Sequence, residues 1–153
     1  MQQAKQGQFN LFDASDWKLG IVVAQFNKSI TDQLKHSALQ RASEYQMPSD
    51  NITVVDVAGA VEIPLVLQIL AKTGKYNALL AIGCVIKGAT PHFDFVCSFV
   101  TDGVLRVQLD HNIPIGFGIL TCNNESEAQE RANIGGDHLD AVMHQTLAIH
   151  KLS

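Results

Sequence analysis

Residues 83–96, Gly83-Cys84-Val85-Ile86-Lys87-Gly88-Ala89-Thr90-Pro91-His92-Phe93-Asp94-Phe95-Val96, carry the densest chemistry in the chain. The apolar run 77–86 reads as a buried strand. A Lys-Gly-Ala-Thr turn follows and leads into an apolar helix, with Thr90 expected as N-cap and Pro91 as the first helical residue. Free backbone N–H groups and the positive end of a helix dipole then lie just past the carboxyl end of a strand, a place that binds anions and phosphate above all. His92 falls in the first turn of that helix. By itself it reads as a surface histidine; beside the Gly-Ala-Thr turn it reads as a proton-transfer group. A phosphate cradle with a histidine at its lip suggests proton transfer on a small phosphorylated substrate.

The elements that position this segment follow from hydrophobic spacing. Residues 19–24, 52–57, 78–85 and 115–121 are short apolar runs and read as strands. Residues 29–45 carry Ile30, Leu34, Ala38, Leu39 and Ala42 at helical spacing. Residues 61–72 read as an apolar helix with Pro64 in its first turn and Gly74 at its end. Residues 92–109 form a third helix, with Gly103 as a weak point, and 125–132 and 137–151 read as two more around a Gly135-Gly136 break. Strand and helix alternate, so the strands are parallel with right-handed crossovers. Uniformly apolar strands imply helices on both faces. The expected fold is a three-layer α/β sandwich in a single domain, 1–153, with no repeat or linker.

Ligands in such folds bind at the carboxyl ends of the strands. Four loops meet there: Gln25-Phe26-Asn27, Ala58-Gly59-Ala60-Val61-Glu62, residues 87–92, and Cys122-Asn123-Asn124. Together they supply an aromatic ring, a carboxylate, an anion turn, a histidine and amides. Phe26 follows a strand and precedes a polar residue, which favours a stacking platform over core. Glu62 also reads as a helix N-terminal acid, and Arg131 also reads as a solvated helix charge.

Composition narrows the partners. Fifteen acids against eleven bases give a net charge of −4, with no basic stretch, which argues against nucleic acid and against an anionic membrane. No run approaches the ~20 apolar residues of a membrane span. The polar, glutamine-rich residues 1–9 are unlike a secretory signal. Cys84, Cys97 and Cys122 are odd in number and far apart, and read as reduced thiols of a cytoplasmic protein. His138, His144 and His150 are six residues apart, so they fall on different helix faces and make poor joint metal ligands. No metal site is expected.

The four loops, in this order and spacing, resemble the 6,7-dimethyl-8-ribityllumazine synthase family. The resemblance rests on Gly20-Ile21-Val22-Val23-Ala24-Gln25-Phe26-Asn27, Gly59-Ala60-Val61-Glu62-Ile63-Pro64, residues 83–96, and Gly118-Ile119-Leu120-Thr121 followed by Gln129-Glu130-Arg131-Ala132. It implies a flavodoxin-like fold with a four-stranded parallel sheet, pentameric subunits, and a transferase of riboflavin biosynthesis needing no metal, flavin or nicotinamide. The reaction implied joins 5-amino-6-(D-ribitylamino)uracil to 3,4-dihydroxy-2-butanone 4-phosphate, releasing phosphate and water. By the same resemblance Phe26 stacks on the pyrimidine. Asn27, the backbone at Gly59, Ala60 and Val61, and the main chain at Val85 and Ile86 hold the uracil and the ribityl chain, and Glu62 accepts from ribityl hydroxyls. Gly88, Ala89, Thr90 and Arg131 bind phosphate, His92 moves protons, and Phe117 closes the site of the neighbouring subunit.

Three positions depart from the family pattern: Lys87 stands where arginine is usual, Ala58 where proline is usual, and the turn 133–138 is short and lacks lysine. The last departure weakens the case for a sixty-subunit shell and favours pentamers or pairs of pentamers. Phe9, Leu11 and Phe12 in the arm 1–13 suggest that residues 8–12 pair with the edge of a neighbour's sheet. The alternative to an enzyme is a non-catalytic flavin or lumazine carrier of the same fold. The intact set of His92, Arg131 and the Gly-Ala-Thr turn favours the enzyme, because a carrier needs no proton shuttle.

Overall fold

Among the described residues the strands and α-helices follow in the order β1 (Leu19–Ala24), α1 (Lys28–Glu44), β2 (Ile52–Val57), α2 (Ile63–Lys72), β3 (Ala78–Ile86), α3 (His92–His111), β4 (Ile115–Cys122), α4 (Glu125–Glu130) and α5 (Gly135–Leu152). The computed structural model describes residues 4, 5 and 7–153; Met1, Gln2, Gln3 and Gln6, which belong to the expected 1–13 arm, lie outside the described residues. The four strands form one parallel sheet in the order β2-β1-β3-β4. All four carboxyl ends therefore lie along one edge, and Ala24, Val57, Ile86 and Cys122 end there. This is the three-layer α/β arrangement that the alternation of apolar runs predicts, with the four-stranded flavodoxin-like sheet that the family resemblance implies.

The side-chain alternation of the strands divides the core in two. Ile21 and Val23 of β1 and Leu80 and Ile82 of β3 point to one face, under Leu34, Ala38 and Ala42 of α1 and Leu139, Val142 and Met143 of α5. Val22 and Ala24 with Leu79 and Ala81 point to the other, under Ile63 and Leu67 of α2 and Val100, Val104 and Val107 of α3. Two helices on each face cover the central strands fully, and every residue of β1 is buried. The edge strands are not covered to their outer limits. Thr53, Val54 and Asp56 of β2 and Phe117 and Thr121 of β4 remain exposed, so uniform two-sided burial holds only for the middle of the sheet.

Three expected features differ in the structure. Thr90 does not cap α3. Pro91 takes the cap position with φ −69° and ψ 1°, and no side chain caps this helix. The ring-fixed φ lets Pro91 close the first turn through its own carbonyl, which accepts from Asp94 N–H at 3.0 Å. The second difference is that Gly135 and Gly136 do not break the chain between helices but begin α5. An added Cβ at Gly135 would stand 1.9 Å from the Leu34 carbonyl oxygen, so glycine is there to let α5 approach the backbone of α1. Gly103 likewise does not weaken α3. It lies against the Pro64 ring, where a Cβ would meet carbon at 2.7 Å, and permits close α2–α3 packing.

A polar cluster joins α1 to α5. Tyr45 is fully buried, and its hydroxyl donates to Asp140 Oδ1 at 2.7 Å. Arg41 pairs with Asp140 Oδ2 and, through Nε, with Glu44 at 2.8 Å. Burial and the neighbouring carboxylate push the phenol far above its ordinary value, so it serves only as a neutral donor. Nearby, Phe12 packs edge-on against Trp17, Tyr45 and His144, and His144 Nε2 lies 3.0 Å from the Asn10 carbonyl oxygen. Within the single chain the second half of the arm thus rests on α5.

His138 of α5 lies over Gly118 of β4, and its Nε2 is buried with no hydrogen-bond partner among the described residues. Burial lowers its pKa from the ordinary 6.5, against a smaller opposing pull from Asp137. Below that value the unfolded chain binds the proton more readily than the folded one. The stability contribution is complete above about pH 6.5 and is lost as the pH falls below it. His138→Phe should therefore lessen the fall in thermal midpoint between about pH 7 and about pH 5. An unchanged slope would exclude His138 as its source.

Candidate active site

Hydrogen bonds continue the sheet beyond its strands and tie the four terminal loops together. Gln25 N–H donates to Val57 O at 2.8 Å and Phe26 N–H to Ala58 O at 3.0 Å, which joins the loop after β1 to the loop after β2. Asn27 then leaves the strand direction with φ 58° and ψ 46°, the left-handed region that asparagine tolerates better than most residues. Its Nδ2 donates to Cys84 O at 2.8 Å and so joins the first loop to β3. Lys87 N–H donates to Cys122 O at 2.8 Å and joins β3 to the end of β4.

A cleft of about 420 Å³ opens on this edge. Its walls are Phe26, Asn27, Gly59, Ala60, Val61, Glu62, Val85, Ile86 and His92, all singled out in the sequence, together with Cys84 and Val96. Phe26 is 71% exposed, so it is no core residue. Gly59 lies under it: a Cβ there would be 3.0 Å from the Phe26 ring and 3.3 Å from Glu62 Oε2. Gly59 N–H donates to Glu62 Oε2 at 2.9 Å, and Glu62 N–H returns a bond to Gly59 O at 3.2 Å. One carboxylate oxygen of Glu62, Oε2, therefore fixes the loop. Val96 stands four residues after His92, one helical turn on, and that spacing was the signal by which the sequence could have found it. Cys84 enters because its carbonyl receives Asn27. No sequence pattern announces that contact.

The turn 87–90 is exposed at the cleft edge, and a Cβ at Gly88 would meet nothing within 4 Å. Arg131 ends α4 as its C-cap, and its guanidinium donates to Glu127 O at 2.8 Å. Its positive charge acts on the Cys122 thiol, opposing the burial that raises that thiol's pKa. The Lys87 N–H bond and the Arg131 charge thus both act on Cys122, at the end of β4. Asn124 caps α4 by accepting from Glu127 N–H at 2.9 Å, and the Glu127 carboxylate accepts from Asn123 N–H at 2.8 Å. That backbone bond, followed by one from the Asn123 side chain, holds Glu127 below the usual carboxylate range.

Phe117 does not line this cleft. It lies earlier on β4, opposite Ala81 of β3, and is exposed at the sheet edge. The thiols offer no nucleophile: burial, with Cys122 close by, pushes Cys84 up to about 11, and burial with Asp94 raises Cys97. Among the described residues, no three His, Cys, Asp or Glu side chains gather into a possible metal site, and no helix is long and apolar enough to cross a membrane.

Residues 16–150 match the family model described as 6,7-dimethyl-8-ribityllumazine synthase. The chain belongs to this family. The 6,7-dimethyl-8-ribityllumazine synthase of Desulfovibrio desulfuricans is 45% identical over 120 residues, covering 78% of this chain and 77% of the relative. That of Nitratidesulfovibrio vulgaris is 42% identical over 121 residues, 79% of this chain and 78% of the relative. That of Lawsonia intracellularis is 38% identical over 156 residues, 96% of this chain and 99% of the relative. The family match spans all four loops, Phe117 and Arg131.

The contact between Gly59 and Phe26 makes the cleft sensitive to a single added methyl group. Gly59 is extended, with φ −148°, so alanine there meets a steric obstacle and no backbone strain. Gly59→Ala should displace the aromatic ring and weaken binding of 6,7-dimethyl-8-ribityllumazine by about 1 kcal/mol, the worth of one aromatic stack. Fluorescence titration measures this. Unchanged affinity would show that this packing does not set the ring.

Proposed function

We propose that this chain condenses 5-amino-6-(D-ribitylamino)uracil with 3,4-dihydroxy-2-butanone 4-phosphate to 6,7-dimethyl-8-ribityllumazine, releasing phosphate and water, in riboflavin biosynthesis. The observation that carries the reading is one cleft with a stacking ring, a carboxylate and a histidine on its walls, opening onto an exposed anion turn in a chain of this family. Two subsites side by side suit a reaction that joins two substrates.

In this reading Phe26 stacks on the pyrimidine. Asn27 and the main chain at Gly59, Ala60, Val61, Val85 and Ile86 hold the uracil and the ribityl chain, and Glu62 receives ribityl hydroxyls on Oε1. Gly88, Ala89 and Thr90 donate to phosphate, with charge from Arg131, whose planar fork suits a phosphate dianion. Lys87 adds charge at the turn. The 5-amino group attacks the ketone, and loss of water gives an imine. Phosphate then leaves by elimination, and attack of the ribitylamino nitrogen on the remaining carbonyl closes the ring with loss of a second water. His92 carries protons between these steps. Holding both reactants in register supplies most of the acceleration.

The uncovered surface supports an assembly of copies. Phe95 is 72% and Phe99 57% exposed on α3, beside exposed Leu105 and Leu109, and Leu65 and Ile69 are exposed on α2. An apolar face of that extent is unusual for a monomer. We read the unit as a homopentamer, or a multiple of it, in which Phe117 closes the neighbour's cleft and the arm 1–13 reaches the neighbour's sheet edge. A ring closes such a head-to-tail contact. The single domain spans 1–153, and the reduced thiols fit the cytoplasm.

Lumazine absorbance that grows on mixing both substrates with the protein distinguishes this enzyme from a carrier, which would bind product without forming it. His92→Ala should lower kcat by about 100-fold, the lower end of ordinary acid–base help, and leave binding of the uracil nearly intact. An unchanged kcat would remove His92 from proton transfer. Arg131→Ala should weaken the phosphorylated butanone by about 2 kcal/mol, the worth of a charged hydrogen-bonding pair. Equal weakening of both substrates in separate titrations would count against a phosphate-specific role.

A further inference from the structure

Ser37 lies in the middle of α1, ten residues and about 15 Å of helix beyond Asn27. It does not line the cleft. Its hydroxyl nevertheless makes two long-range bonds: Ser37 Oγ donates to Asn133 O at 2.9 Å and accepts from Gly136 N–H at 2.9 Å. These two groups bracket the end of the turn 131–134 that connects α4 to α5. One helical turn away along α1, the Leu34 carbonyl meets Gly135 at a distance that only glycine allows. Inside the turn, Ile134 N–H donates to Arg131 O at 3.3 Å, and Ala132 is fully buried. The turn that carries Arg131 is thus pinned to α1 on its α5 side, while the guanidinium is held to α4 through Glu127 O on the other.

We propose that Ser37 is a positioning residue for the phosphorylated substrate: it holds the turn 131–134 at one place against α1 and so sets where the Arg131 guanidinium stands relative to the anion turn 87–90. The inference rests on the reading of Arg131 as a phosphate ligand. A hydroxyl suits the task because it donates to a carbonyl and accepts from an N–H at once. A forked cation binds phosphate through geometry as well as charge, so a displaced guanidinium loses much of its grip. The same helix begins at Asn27, so α1 connects the pyrimidine subsite to the phosphate subsite as one rigid body.

The packing of α1 on α5 does not rest on Ser37 alone, which lets the two roles be told apart. The α1–α5 contact has its own apolar core in Leu34, Ala38, Leu139 and Met143, and its own polar anchor in Tyr45, Asp140 and Arg41. Alanine is also a better helix former than serine.

The test compares Ser37→Ala, Ser37→Thr, Arg131→Ala and the Ser37→Ala/Arg131→Ala double variant in steady-state kinetics, with inorganic phosphate as a competing ligand. Loss of the two bonds should raise KM for the butanone phosphate and the inhibition constant of phosphate about three- to tenfold. KM for the uracil and kcat should stay within about twofold, a shift too small to represent a lost hydrogen bond. Ser37→Thr, which keeps the oxygen, should restore the parent values, and Ser37→Ala should add nothing in the Arg131→Ala background. Should Ser37→Ala fail to fold, Ser37→Cys, with weaker hydrogen bonds in the same shape, gives the same ordering. If Arg131→Ala weakens phosphate and Ser37→Ala does not, the Ser37 inference fails alone. Equal effects on both substrates, or additive effects in the double variant, overturn it in favour of a merely structural role. If Arg131→Ala itself leaves phosphate binding unchanged, the phosphate reading of Arg131 and this inference fall together.

Discussion

The contact on which the rest of the site depends is the hydrogen bond from the Asn27 side chain to the Cys84 carbonyl. The ladder between β1 and β3 pairs residues up to Val23 and Ile82 and then stops, because β1 must turn into α1. Beyond that point the strands would be free to splay and the loops to move independently. Asn27 supplies one further rung from a side chain while its own backbone, in the left-handed region, directs the chain into the helix. Splaying is prevented at the place where a ligand must enter. Phe26 is thereby held at the cleft mouth with its ring in solvent, and Gly59 beneath it keeps the ring from being pushed outward.

The same physics explains why so polar an edge can sit on so apolar a sheet. Several loop groups bond to a neighbouring segment rather than to water: the first loop to the second, the first to β3, and Lys87 to β4. A loop whose backbone is already paired can present side chains and a few remaining N–H groups in fixed directions. The carboxylate of Glu62 illustrates the division: it lines the cleft while its Oε2 closes its own loop. Rigidity at this edge is bought by these few bonds rather than by burial, since the turn 87–90 and His92 are exposed.

The outer surface follows from a shortage of cover. Four helices on two faces protect the inner strands of a four-stranded sheet, and the outer positions of β2 and β4 are left over. α3 is twenty residues long and buries only Val100, Val104 and Val107 against its own sheet. Four of its other apolar residues, Phe95, Phe99, Leu105 and Leu109, are exposed. An apolar helix face that its own fold leaves open suits contact with another copy, which is why the assembly and the completion of the cleft belong to one reading.

Read alone, the sequence determined the strands, their parallel direction and the edge at which chemistry would gather, because alternation and apolar runs are local properties that burial enforces. The first two strands, 19–24 and 52–57, coincide with those in the structure, and nine cleft residues were legible from loop position and motif. What the sequence could not determine were contacts between segments far apart along the chain. Gly135-Gly136 has the local signature of a break, yet it begins α5, because the requirement that selects glycine there is the carbonyl of Leu34, a hundred residues earlier. Thr90 has the signature of a cap, yet Pro91 closes the turn. The Tyr45–Asp140 bond, the buried His138 and the hold of Ser37 on the turn before α5 likewise join residues whose proximity only the packing of α1, β4 and α5 creates. Local pattern records which face of an element is buried; which residues then meet across that face is decided by the tertiary structure, since close packing is a condition on pairs and not on positions.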